Sequence, residues 1–245
     1  MVQENSSAGK IKLFCLAYAG GSALTYNKIN QYLDNNIELI PIEYDGRGKI
    51  INEEFYPDMA SAVDDVYKEV SKHLDSGEFA VYGHSLGGVV TYELCKKLKK
   101  ESGREPGCIF ISGRYPPHII KEASMLYKLP DEEFKEEILR IGGTPKEVFE
   151  NKELAKLFVP ILRADYKIIE QYRYVEENVK FKSKIIVLGG KEDKTADRSD
   201  LYEWQKYSEK PINVFEFDGG HFFINEYTRE VTEVINETLI GTPVV

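Results

Sequence analysis

The sequence has little cysteine, few histidines, a minority of positive charge and no long apolar run. Its three cysteines, Cys15, Cys95 and Cys108, stand isolated within apolar stretches. An odd number without CxxC spacing argues against a disulfide framework and against a zinc site, so no metal is expected. They read as small core residues in a reducing compartment. No stretch approaches 18 apolar residues, which rules out a helical membrane span. The polar opening "MVQENSSAGK" lacks the apolar segment of a signal peptide. Lys and Arg total 32 against 41 Asp and Glu, a net charge of −9. There is accordingly no overall basic field for nucleic acid or anionic lipid. "CKKLKK" at 95–100 reads as a helix end, where cations favour the dipole. A cytoplasmic, monomeric protein without a cofactor is the expectation.

What is present is an alternation. Apolar runs of strand length occur at 10–17, 37–44, 79–83, 108–113, 184–190 and 212–220. Helical spacing fills 25–34, 57–74, 86–100, 200–208 and about 228–239 between and after them. Pro41 suits an edge strand better than a central one. Such alternation predicts an α/β fold: a mostly parallel central sheet flanked by helices. From 116 to 180 the rhythm changes, because helical patterns follow one another with no intervening strand. This stretch reads as a helical lid insertion, and 1–115 with 181–245 as the core. Gly142 and Gly143 within it read as a hinge or as a helix C-cap. Its apolar residues Phe134, Ile138, Phe149, Leu157, Phe158, Ile161 and Tyr166 are expected mostly to serve the lid's own packing against the sheet, with some of them lining a pocket beneath it.

Chemistry concentrates at "FAVYGHSLGGVV", residues 79–90. G-x-S-x-G alone is a weak pattern, and a capping serine in a tight turn is the plain alternative. Here it sits between a strand and a helix, the context of a nucleophile elbow that presents the Ser85 hydroxyl above the sheet. A serine hydroxyl needs a base. Of the four histidines, His73 lies on a charged helix, His84 is inside the elbow and His118 opens the insertion. His221 follows a strand that ends in Gly219 and Gly220, which puts it at the same sheet edge as Ser85. The imidazole in turn needs an anion. Asp193, just past Gly190, is favoured over Glu192 and Asp197. The order Ser85, Asp193, His221 is that of the α/β-hydrolase fold.

An oxyanion hole requires two N–H donors. Leu86 offers one at the helix start. The loop "AYAGGSA" (17–23) offers the other, with Ala19 favoured over Tyr18 and Gly20. A nucleotide site in that loop is disfavoured by the absence of G-x-G-x-x-G and of GK[ST]. Tyr26, Arg47 and Arg114 are placed around the mouth.

The segments "LAYAGGSA", "IEYDGRG", "YGHSLGG", "SGRYPPH", "LPDEEF", "LRIGGTPKEVFENKEL", "LRADYKIIEQYRY" and "FDGGHFFI" span nearly the whole chain. Together they resemble the type II thioesterases of nonribosomal peptide and polyketide synthesis. Asp45 stands where that family commonly has Pro, and the first motif lacks a frequent Pro. The resemblance implies a stand-alone enzyme that removes wrongly loaded acyl or aminoacyl groups from the phosphopantetheine arm of an acyl or peptidyl carrier protein. A fatty acyl or acyl-CoA thioesterase, a small-molecule esterase, or a hydrolase-fold protein that only binds its partner are the competing readings.

Overall fold

Six apolar runs become six strands, and each pairs in parallel with its neighbour. The computed structural model describes residues 9–122 and 124–241. The strands are β1 (Ile11–Leu16), β2 (Ile37–Ile42), β3 (Phe79–His84), β4 (Cys108–Ser112), β5 (Lys184–Gly190) and β6 (Asn213–Phe217). They lie in the order β2-β1-β3-β4-β5-β6, parallel throughout. Parallel neighbours need crossovers, which the helices supply. In chain order the helices are α1 (Asn27–Asn30), α2 (Met59–His73), α3 (Leu86–Ser102), α4 (Asp131–Ile141), α5 (Glu147–Glu150), α6 (Lys152–Gln171), α7 (Arg198–Tyr202) and, after the last strand, α8 (Phe223–Glu226) and α9 (Thr228–Ile240).

Burial follows sheet position. Every residue of β3 and β4 is buried, because both strands have neighbours on each edge and helices on each face. β2 and β6 are the edges and bury only part of their length. Pro41 occurs on β2, opposite Cys15 of β1. An edge strand has a side on which no ladder donor is needed, so the missing N–H is tolerated there. α2 begins where the Asp58 carboxylate accepts the Ser61 N–H at 2.8 Å. It buries Met59, Ala62, Val63, Val66 and Val70 along one face.

Strand order also says where a ligand crevice belongs. The chain runs from β1 to β2 on one side, then returns to place β3 on β1's other side. The loops leaving β1 and β3 therefore diverge at their C-terminal ends and leave a crevice between them.

Between β4 and β5 the chain carries α4, α5 and α6, all within residues 131–171. Leu126, Phe134, Ile138 and Leu162 form a small cluster there, backed by Phe149 and Tyr166. Ile161 is buried too, whereas Leu157 is exposed. α6 begins at Asn151, whose side chain accepts the N–H groups of Glu153 and Leu154. Its later turns join the main core through Ile168.

Two helices differ from expectation. The pattern over 25–34 becomes a 3-10 turn at Ala23–Tyr26 followed by the four-residue α1. Tyr32 is exposed, and Asn36 turns back on Asp34 through its backbone and side-chain N–H groups. Asn and Asp compete for backbone bonds and stop the helix early. The pattern over 200–208 splits into α7 and a 3-10 turn at Glu203–Tyr207. Among the described residues, no helix is long and apolar enough to cross a membrane.

Candidate active site

The turn after β3 is held open by close backbone packing. Ser85 has φ 55° and ψ −113°, a conformation an L-residue adopts at a cost of about 1–3 kcal/mol. Two bonds hold it there: Ser85 N–H to Ser112 C=O at 2.8 Å and Gly88 N–H to Ser85 C=O at 3.0 Å. A Cβ on Gly83 would run into the Gly87 carbonyl, and one on Gly87 would run into the Leu16 carbonyl. Glycine is thus required on both sides of the serine. α3 starts at Leu86, so its free N–H groups and positive end face the space beside Ser85.

The loops after β5 and β6 are pinned to each other. Lys191 N–H donates to Phe217 C=O at 2.8 Å and Glu192 N–H to Gly219 C=O at 2.9 Å. Gly190 permits this approach, since a Cβ there would meet the Gly220 carbonyl. The pinning sets Asp193 and His221 side by side. His221 Nδ1 stands 2.8 Å from Asp193 Oδ2, and His221 Nε2 stands 2.9 Å from Ser85 Oγ. In the tautomer protonated on Nδ1, the ring donates to the carboxylate and accepts from the serine hydroxyl. The His221 side chain is 8% exposed and that of Asp193 is 0% exposed, so the His221–Asp193 bond is nearly dry, while Ser85 is part-exposed. Burial pushes the Asp193 carboxyl up. The His221 hydrogen bond and charge, with two donors from Thr195, outweigh it and hold the carboxyl below the usual range.

Thr195 was not anticipated. Its N–H and hydroxyl donate to Asp193 Oδ1 at 2.8 and 2.6 Å, and its Oγ1 is 2.8 Å from His221 Nδ1. A Thr two residues after Asp is a signal for this side-chain-to-backbone turn. Among the competitors for the imidazole, Glu192 has its backbone in the pinned loop, and Asp197 lies in an ion pair with Lys121.

His84 is fully buried, with Nδ1 2.9 Å from Ser112 Oγ and its ring centroid 5.0 Å from that of His221. Burial and the neighbouring His221 charge hold it well below the ordinary imidazole range, so it stays neutral as a packing floor. His118 pairs with the Tyr207 hydroxyl at 3.0 Å instead, and His73 with Glu69.

The loop after β1 is fixed from several directions. Tyr26 Oη donates to Leu16 C=O at 2.5 Å and Tyr44 Oη to Ala17 C=O at 3.2 Å. Gly21 N–H donates to Tyr18 C=O at 2.9 Å, and Gly20 N–H to Asp165 Oδ2 at 2.7 Å. Of the three loop amides weighed from the sequence, that of Gly20 is thereby committed, leaving Ala19 and Tyr18. Tyr26 is corrected: it is buried beneath this loop, not at the mouth, because its hydroxyl serves a strand-end carbonyl. Arg47 is corrected as well, being 3% exposed and bonded to Asp165. Arg114 packs its guanidinium on the Tyr115 ring, 4.0 Å from the centroid. A groove of about 640 Å³ between α2, α3 and the end of α6 is lined by Met59, Val63 and Ile168 among others, and by none of Ser85, Asp193 or His221.

A parallel sheet with this strand order and a serine elbow after β3 is an α/β-hydrolase fold. Residues 11–239 match the thioesterase domain, and the chain belongs to that family. "Linear gramicidin dehydrogenase LgrE" of Brevibacillus parabrevis is 31% identical over 237 residues, 96% of this chain and 89% of its own. In the present chain the loop after β1 has no dinucleotide fingerprint, and its Gly20 and Gly21 amides are engaged by protein acceptors. The solved structure of ClbQ from the colibactin NRPS/PKS pathway is 35% identical with a TM-score of 0.91, covering 95% of this chain and 98% of that one. The type II thioesterase BorB from the borrelidin biosynthetic cluster is 26% identical with a TM-score of 0.86, covering 94% and 93%. The resemblance to type II thioesterases read from the sequence motifs is borne out.

Proposed function

We propose that this thioesterase is a stand-alone enzyme of nonribosomal peptide or polyketide synthesis. It would hydrolyse aberrant acyl or aminoacyl thioesters on the phosphopantetheine arm of a carrier protein, in the cytoplasm. The unbroken bond chain from Ser85 Oγ through His221 to Asp193 carries this reading. In it, Ser85 Oγ attacks the thioester carbonyl carbon while His221 Nε2 takes the hydroxyl proton. Asp193 holds the Nδ1 proton and stabilises the imidazolium. The Leu86 and Ala19 amides receive the developing oxyanion. The C–S bond breaks, the thiolate leaves with the proton from His221, and an acyl-Ser85 ester remains. A thiol of pKa about 8.5 leaves readily, so leaving-group protonation is less demanding than for an amide. Water then gives its proton to His221 and attacks the ester, and Ser85 recovers its proton as the free acid departs.

The helical segment 116–180 serves as the lid in this scheme. Supporting this, Leu162 of α6 fills the space over Gly20, and Gly143 after α4 presses on Phe222, next to His221. The discriminating experiment is hydrolysis of a panel of acyl-phosphopantetheinyl carrier proteins beside a free oxoester of the same acyl group. Preference for the carrier-bound thioester is the expected result. A clear preference for the oxoester would reject the carrier reading in favour of a small-molecule esterase.

A further inference from the structure

The helical segment between β4 and β5 reaches the loop after β1 through a buried ion pair that the chemistry above does not use. Asp165, in the middle of α6, is 1% exposed, and Arg47, after β2, is 3% exposed. Arg47 Nη1 and Nη2 each donate to one Asp165 oxygen at 2.6 Å. The same two side chains also hold the loop's backbone. Asp165 Oδ2 accepts the Gly20 N–H at 2.7 Å, and Arg47 Nη1 donates to the Gly21 C=O at 3.1 Å. These contacts flank Ala19 on its C-terminal side. On its N-terminal side, Tyr44 Oη holds the Ala17 carbonyl, and the Arg47 guanidinium lies 5.3 Å from the centre of the Tyr44 ring. Gly20 has φ +78°, and a side chain there would collide with Leu162 of α6. Helix, arginine and loop therefore fit together in a single arrangement.

A buried ion pair is a poor device for stability alone, since desolvation consumes much of its attraction and an apolar pair of similar volume often serves as well. What an apolar pair cannot supply is two directional bonds to a flexible backbone. We propose that Asp165 and Arg47 are positioning residues: they lock the Gly20–Gly21 backbone so that the neighbouring Ala19 amide points at the reacting carbonyl, and they make that alignment depend on the seating of α6. The proposal rests on the reading of this loop as an oxyanion donor for Ser85. An acyl enzyme whose cover sets its own oxyanion donor hydrolyses only when the cover is seated.

The test uses the full chain and a fluorophosphonate, which reports two quantities. The labelling endpoint counts competent sites. The labelling rate constant reads oxyanion stabilisation, because attack on phosphorus also builds negative charge on oxygen. Asp165→Asn is expected to reach one label per chain at Ser85, with the rate constant lowered about 10- to 100-fold; loss of a direct oxyanion donor sets the upper scale at about 10²–10³. Its kcat on an acyl thioester should fall in parallel with KM unchanged. Arg47→Lys, which keeps charge but loses the planar fork, should fall between wild type and Asp165→Asn. The double variant R47M/D165L removes the charge without leaving an unpaired ion. It should recover a wild-type melting temperature while its rate constants stay low. A lowered endpoint with unchanged rate constants, or a double variant restored in rate as well as stability, would show a purely structural pair and overturn the proposal. Absence of wild-type labelling at Ser85 would overturn the catalytic reading and this proposal with it.

Discussion

At the scale of single residues, three side chains from distant segments are joined by two hydrogen bonds, and each has a separable consequence. Ser85→Ala should lower turnover about 10⁶-fold and Asp193→Asn about 10⁴-fold, by analogy with other triads of this kind. Steady-state kinetics on one acyl thioester checks both. Near-wild-type Asp193→Asn with inactive Glu192→Gln would reassign the carboxylate. Asp193 also predicts a pH effect. Its folded-state pKa is lowered, so its contribution to stability is present above the ordinary value of about 3.9 and is lost as pH falls toward the lowered one. The deficit of Asp193→Asn in denaturant unfolding should therefore be larger at pH 6 than at pH 3. An equal deficit at both would contradict it. The meeting of Ser85, Asp193 and His221 was legible because each ends or follows a strand, and strand ends share one rim. Asp165 was less legible, though its signal was there: in "LRADYKII" a carboxylate stands three residues from Leu162 and from Ile168, on the stripe that is buried. A charge on an apolar stripe must find a partner. Which partner depends on tertiary packing, and Arg47 is 118 residues away.

At the scale of elements, the site depends on where glycine allows two backbones to touch. Gly190→Ala would push the end of β5 from the Gly219–Gly220 turn and separate the loops that carry Asp193 and His221. It should cost about 1–3 kcal/mol as overpacking, and a displacement near 1 Å would lower kcat about 10²-fold. Melting and kinetics on the same sample check this; an unchanged kcat would mean that the loops hold their geometry independently of the pinning. Strands were the best-read elements, because a fully buried parallel strand is a continuous apolar run. The stretch over 25–34 was read as too long a helix, since apolar spacing alone ignores the competition of Asn30, Asp34, Asn35 and Asn36 for backbone bonds. The mouth was the least legible part. Residue type gives no direction, so Tyr26 and Arg47 were assigned to the rim while both are buried.

At the scale of the whole molecule, one sheet carries Ser85, Asp193 and His221 at its C-terminal rim, and helices close both faces. The three cysteines lie within this body, with Cys15 and Cys95 0% exposed and Cys108 3% exposed. Burial pushes the Cys108 thiol up to about 12 and the other two higher. A thiolate is the reactive form, so a disulfide thiol reagent should modify none of the three in the native protein and all three in denaturant. Rapid native modification of any of them would place a cysteine outside the core described. The central claim, acyl transfer to Ser85, is most directly tested by acid-quenched mass spectrometry after mixing with an acyl-phosphopantetheinyl carrier protein. The account predicts a transient acyl mass on the peptide containing Ser85, absent in Ser85→Ala. Acyl groups carried elsewhere, or free acid released by Ser85→Ala at the wild-type rate, would contradict it.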